Sequence, residues 1–231
     1  MLILRGPRSG LESMRSAEDW KQFLADPELH WKDGRSAKML AERWHSALPE
    51  MPPEIVLVFR GTPFEEFDGL VAIPEYEVPL PGGSRASHND LFVLGRIDRE
   101  LAVIMIEGKV DESFGPLLGE WLVDASPGKL ERLAYLRSRL RIEGELDRSV
   151  RYQLLHRVAS PLIEAERIGA RYAAMIVHSF SRVDACLDDY CAFCGVLGVA
   201  GTKNRLERVR RVGEPELWVG WVGGEAAELR P

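Results

Sequence analysis

The sequence predicts an α/β protein: a mixed β-sheet core flanked by helices. Three observations carry this. The runs LAVIMI (101–106) and AAMIVHSF (173–180) are apolar on both faces, as expected of central strands covered on both sides. Residues 88–110, HNDLFVLGRIDRELAVIMIEGKV, read as two apolar strands joined by a short polar turn. Two helical patterns separate that hairpin from 173–180, so a helical crossover returns the chain to the same sheet and part of the sheet is parallel.

In chain order, AEDWKQFLA (17–25) is a short helix. Ser36 is a plausible N-cap for a helix to about Ala47, with Met39, Leu40 and Trp44 at helical spacing, and the prolines of LPEMPPE stop it. IVLVFR (55–60) is a strand candidate, followed by a loop over 61–70. VAIPEYEVPL (71–80) is extended, and Pro74 confines it to an edge or a bulge. PGGS (81–84) is a turn. The hairpin strands span roughly 90–95 and 101–109. Ser126-Pro127 starts a helix to about Ile142, marked by Leu130, Leu133, Leu136 and Leu140. Another begins near Arg148, and Pro161 either kinks it or marks a new start capped by Ser160. After 173–180 come a helix from about Val183 to Val196 and a last strand, LWVGWVG (217–223), placed at an edge. The whole reads as one domain: N-terminal helices over 1–50, a mixed-sheet core over 55–200, and a C-terminal strand and tail over 201–231.

No run approaches the roughly 18 apolar residues of a membrane span, and the N-terminal MLIL is too short for a signal-peptide core. The expectation is a cytoplasmic protein without a membrane partner. A net charge of −6 and a pI near 5.5 argue against a general nucleic-acid coat protein. They leave room for an enzyme with a local basic groove. Basic clusters at Lys129–Arg141, Arg148–Arg157 and Lys203–Arg211 read as solvated helix faces. Cys186, Cys191 and Cys194 lack the fourth ligand and the spacing of a zinc site, and read as buried thiols.

One constellation suggests a reaction. Asp90 opens the first hairpin strand, and Glu107-Gly108-Lys109 closes the second. Residues two apart in a strand share a face, so Glu107 and Lys109 point the same way. Pairing can bring Asp90 opposite Glu107, while Gly108 offers a backbone carbonyl. Two carboxylates and a carbonyl suit Mg²⁺ (or Mn²⁺), which keeps several waters and binds phosphate oxygens. Lys109 can orient a water or offset phosphoryl charge. The bland alternative is an ordinary solvated ion pair at a strand end.

Residues 90–178 resemble the core of the PD-(D/E)XK, or restriction-endonuclease-like, nuclease superfamily. Asp90 matches the motif aspartate and Glu107-Gly108-Lys109 the (D/E)-x-K, while Asn89 stands where the motif has proline. The resemblance implies a restriction-endonuclease-like sheet and metal-dependent phosphodiester hydrolysis in nucleic acid. Asp90 and Glu107 would be metal ligands, and Lys109 would serve the nucleophilic water. It also implies a Gln, Arg or Lys on a following helix, for which Gln153 is the candidate, and a Glu on the first helix, for which Glu42 is best placed. Candidate substrate contacts are Arg151 and Arg157, together with His88, two residues before Asp90, and His156, on the face of Gln153. The two histidines read equally well as plain solvated side chains. The whole chain also looks similar to a bacterial family with no assigned function. The second functional reading is a non-catalytic module of the same fold that binds nucleic acid or protein.

Other motifs point elsewhere. Gly82-Gly83-Ser84-Arg85-Ala86 mimics a nucleophile elbow, but a strand and not a helix follows it. No phosphate-binding P-loop or G-x-G-x-x-G occurs. Trp31, Asp33, Arg35 and Ser36 form a polar loop before a helix, either an anion site or simply an N-cap with a packed indole.

Overall fold

The structure, a computed structural model, describes residues 1–3, 14–210 and 213–224. Arg211 of the third basic cluster and the tail from 225 onward lie outside the described residues.

Seven strands form one mixed sheet in the order β1-β2-β3-β4-β5-β7-β6. They are β1 (Leu2–Ile3), β2 (Phe67–Val78), β3 (Ser87–Ile97), β4 (Glu100–Lys109), β5 (Tyr172–Ser179), β6 (Arg205–Arg208) and β7 (Glu216–Gly223). β2, β3 and β4 form an antiparallel meander, and β4, β5 and β7 run parallel. The long return to a parallel neighbour is made by α5 (Pro127–Arg139) and α6 (Tyr152–Ile168). α4 (Leu118–Trp121) is a single turn before them, and α7 (Leu187–Leu197) follows β5. The N-terminal side carries α1 (Pro27–His30), α2 (Ser36–Ser46) and α3 (Pro53–Phe59).

Each sheet face has its own core, as a run like LAVIMI requires. Val103 and Met105 pack with Leu155, Val158 and Phe193 of α6 and α7. Ile104 and Ile106 pack with Leu40, Trp44, Ile55 and Phe59 of α2 and α3. Alternate side chains of one strand therefore hold two helical layers together.

Several local expectations are corrected. IVLVFR is helical: Pro53 sits in the first turn, where its missing N–H costs nothing, and Ile55, Val58 and Phe59 are buried at spacings of three and four. Residues 67–70 belong to β2, not to a loop. Arg35, not Ser36, occupies the N-cap of α2, and the Ser36 N–H is satisfied by Glu112 Oε1 at 3.2 Å. α6 starts at Tyr152 and runs unbroken through Pro161 to a left-handed Gly169. Burial of that face outweighs a propensity cost of about 3 kcal/mol. α7 begins four residues later than expected. Ser181 Oγ accepts the N–H groups of Val183 and Ala185, a side-chain turn that competes with helix. β7 is internal and not an edge strand: β6, hidden within the third basic cluster, pairs along its outer side. An arginine-rich edge strand discourages further pairing.

Candidate functional site

The β3/β4 hairpin brings the predicted carboxylates together. Its last ladder pair is Leu91 with Ile106, so one more step along the register sets Asp90 opposite Glu107. The Gly108 N–H donates to Asp90 Oδ2 at 2.7 Å, closing the end of the ladder. Glu107 and Lys109 are 2% and 5% exposed, which removes the reading of solvated strand-end charges.

Glu107 is held from three sides. Its Oε1 accepts from Lys109 Nζ at 2.9 Å and from Gln153 Nε2 at 2.8 Å, and its Oε2 accepts from Arg157 Nε. Gln153 Oε1 in turn lies 3.5 Å from Lys109 Nζ. Phe114 covers the ammonium, with its ring centroid 4.7 Å away. Gln153 and Arg157 lie one turn apart at the start of α6, so a single helix end delivers both.

These contacts set the protonation states. Burial pushes the Glu107 carboxyl up, but Arg157 and Lys109 outweigh it and hold the group below its ordinary value. Burial would lower Lys109, but Glu107 and Asp90 keep it raised, so the amine is an ammonium. Asp90 retains some surface toward the cleft, yet protein surrounds it closely. Burial first, and then Glu107, push it up to about 7.

A third carboxylate, which the sequence did not single out, completes the cluster. Glu75 sits in β2 between the pairs Pro74–Leu91 and Tyr76–Asn89, and so opposite Asp90. Its φ of 50° lies in the left-handed region, uncommon for a side-chain-bearing residue in a strand. Burial, and then Asp90, raise its carboxyl well above the usual range. Its sequence signal was slight: an acid directly after Pro74, in a strand that must neighbour the one bearing Asp90.

Asp90, Glu107 and Lys109 form the floor of a cleft of about 610 Å³. Glu75, His88, Gln153 and Arg157 belong to its walls, and the segment from Leu24 to Ala37 closes the remaining side. His88 Nδ1 is 3.8 Å from Glu77. Arg35, from the loop read as either an anion site or an N-cap with a packed indole, also lines the cleft, while Trp31 Nε1 is bonded to Glu18 at 2.8 Å. Three candidates lie outside the cleft lining. Arg151 pairs with Asp189 at 3.0 Å. His156 Nδ1 is bonded to Ser87 Oγ at 2.8 Å and, with burial and Arg157 lowering its pKa, stays neutral. Glu42 faces Lys38 at 3.7 Å on the exposed side of α2.

The donor set fits a hard cation. Asp90 Oδ1 makes no hydrogen bond among the described residues, and three carboxylates face only two fixed cations. Mg²⁺ needs only one or two protein carboxylates, since waters and phosphate oxygens fill its shell. Among the described residues no group of three or more His, Cys, Asp or Glu side chains is placed to hold an ion, so a closed protein cage is absent. Asp90, Glu107 and the Gly108 carbonyl are the residues that would hold Mg²⁺ or Mn²⁺.

The fold is α/β, a mixed sheet flanked by helices. The chain belongs to a family described as a domain of unknown function, DUF6946, whose model matches residues 13–226. No curated protein and no solved structure matches it. No helix among the described residues is long and apolar enough to cross a membrane.

Proposed function

We propose that this protein is a metal-dependent phosphodiesterase that hydrolyses phosphodiester bonds in nucleic acid. The observation that carries the reading is the convergence of Asp90, Glu107 and Lys109 on the floor of one cleft, with Gln153 bridging Glu107 and Lys109. When bound, Mg²⁺ or Mn²⁺ supplies Lewis-acid stabilisation of phosphoryl charge and a more acidic water. The residues around it divide the remaining work. Asp90 and Glu107 would anchor the ion. Lys109, kept as an ammonium, offsets charge on the phosphoryl oxygens and donates a hydrogen bond to the attacking water, and it does not act as a base. Gln153 and Arg157 fix the Glu107 carboxylate so that little reorganisation is left to the moment of reaction.

The test is cleavage of labelled single- and double-stranded DNA and RNA in Mg²⁺ or Mn²⁺, with wild type beside Lys109→Ala. Glu107 keeps Arg157 and Gln153 in that variant, so the fold is expected to survive. Cleavage by wild type alone supports the proposal; equal cleavage by both removes it.

A second reading, a non-catalytic binding module, draws on a different observation: Lys109, Gln153 and Arg157 already satisfy both oxygens of Glu107. Such a module would bind Mn²⁺ no more tightly than Glu107→Gln does, whereas the hydrolase loses Mn²⁺ affinity in that variant.

A further inference from the structure

Building on that hydrolase reading and narrowing its nucleic-acid substrate to the smallest unit, we infer that the site takes up one phosphodiester of dinucleotide size at a time, so that a short ligand or a strand end is favoured over the interior of a long tract. The cleft is walled by separate segments: the ends of β2 and β3, the start of α6, the Glu112 loop and the arm from Leu24 to Ala37. Glu112 ties two of these walls together, accepting the N–H of Val110 at 3.0 Å and that of Ser36 at 3.2 Å. The reacting groups lie at the bottom, since Glu107 and Lys109 are almost wholly buried. A volume of about 610 Å³ lies in the range of small-molecule sites. A duplex resting on the rim would not bring its backbone to the floor.

Charge points the same way. Polynucleotide affinity is built from many Lys and Arg contacts to successive phosphates. Among the described residues, the cationic side chains of this cleft are Arg35, Lys109 and Arg157, with the imidazoles His30 and His88. Lys109 and Arg157 are committed to Glu107. Arg35 makes no ion pair among the described residues and stands at the exposed wall, where it serves one phosphate. Extended single strands are also held by aromatic platforms, and no Phe, Tyr or Trp lines this cleft among the described residues.

The experiment compares a dinucleotide, a long linear single strand and a covalently closed single-stranded circle. Turnover is measured in Mn²⁺, and equilibrium binding in EDTA over a range of salt. The expected result is a kcat/KM for the dinucleotide at least about tenfold above that for the linear strand, an inert circle, and a salt slope of roughly −0.7, that of a single phosphate contact. Arg35→Ala is expected to weaken dinucleotide binding in EDTA by about tenfold; unchanged affinity would overturn the placement of the phosphate. A circle cleaved as well as the dinucleotide, or a slope several times steeper, overturns the size inference and leaves the hydrolase reading standing. No turnover of any of the three removes the hydrolase reading, and binding in EDTA still decides the size of the ligand. Failure of all three to bind in EDTA overturns the size inference, while turnover in Mn²⁺ alone decides the hydrolase reading.

Discussion

At the scale of single residues, Glu107 and Glu54 show how much this fold depends on charges placed where water is scarce. Removing Glu107 strands two buried cations, Lys109 and Arg157, whereas removing Lys109 leaves Glu107 paired. Glu107→Ala is therefore expected to destabilise by about 3–5 kcal/mol and Lys109→Ala by distinctly less, read from urea midpoints. Equal losses would contradict the contact pattern. Glu54, on the opposite helical layer, is a cleaner titration. Burial pushes its carboxyl up, but hydrogen bonds from Arg43 and His178 prevail and hold it at about 2. Trp44 Nε1 donates to His178 Nδ1 at 3.2 Å, which leaves the proton on Nε2 to face Glu54 Oε1 at 3.1 Å. Because the folded value lies below the ordinary 4.5, the ionised form favours folding. Its contribution is complete above pH of about 4.5 and is lost as pH falls toward about 2. It is on the order of 3 kcal/mol. Glu54→Gln is expected to flatten the acid limb of the stability curve in that window, and an acid limb identical to wild type would refute the assignment.

At the scale of elements, the clearest lesson is α3. β-branched residues made IVLVFR look like a strand, yet Pro53 and the spacing of Ile55, Val58 and Phe59 carried the helical signal all along. Val56 and Leu57 are 45% and 54% exposed, adjacent along the chain as only a helix allows at an apolar interface. Val56→Glu is expected to change stability by no more than about 0.5 kcal/mol, against about 2–5 kcal/mol for Ile55→Ala. A severe effect at Val56 would return the segment to the strand reading. The buried strands β4 and β5 and the Ser126-Pro127 start of α5 were legible because each rests on a local pattern: two-sided apolarity for the strands, an N-cap followed by proline for the helix. The inner position of β7 was not legible, because β6 is short and arginine-rich and shows no alternation strong enough to declare a strand. In the candidate site, Asp90, Glu107 and Lys109 could be placed together from hairpin pairing alone. Glu75 could not, since residues 71–80 read only as an extended segment, and its place opposite Asp90 follows from a β2/β3 register that the sequence does not fix.

At the scale of the whole molecule, the two faces of the sheet divide the load. One face and its helices bring Gln153 and Arg157 to Glu107, while α2 and α3 on the other form the second core and carry the arm that closes the cleft. The folded chain thereby holds Glu75, Asp90 and Glu107 close together, and their mutual repulsion opposes folding until a cation or a proton relieves it. An ion that binds only the folded state adds about 2.7 kcal/mol at a hundredfold excess over its Kd. For a chain of this length that is a rise in Tm of roughly 5–10 °C. Mn²⁺ is expected to produce such a rise in wild type, measured by calorimetry at neutral pH. Asp90→Asn keeps an oxygen for the Gly108 N–H and removes one of the crowded charges. Its Tm without metal is therefore expected to equal or exceed that of wild type, while the response to Mn²⁺ disappears. A variant that still gains stability from Mn²⁺ would place the ion elsewhere. One that is less stable than wild type without metal would show that the Asp90 charge is compensated by Lys109 and Arg157, so that the cluster opposes folding far less than its three carboxylates imply.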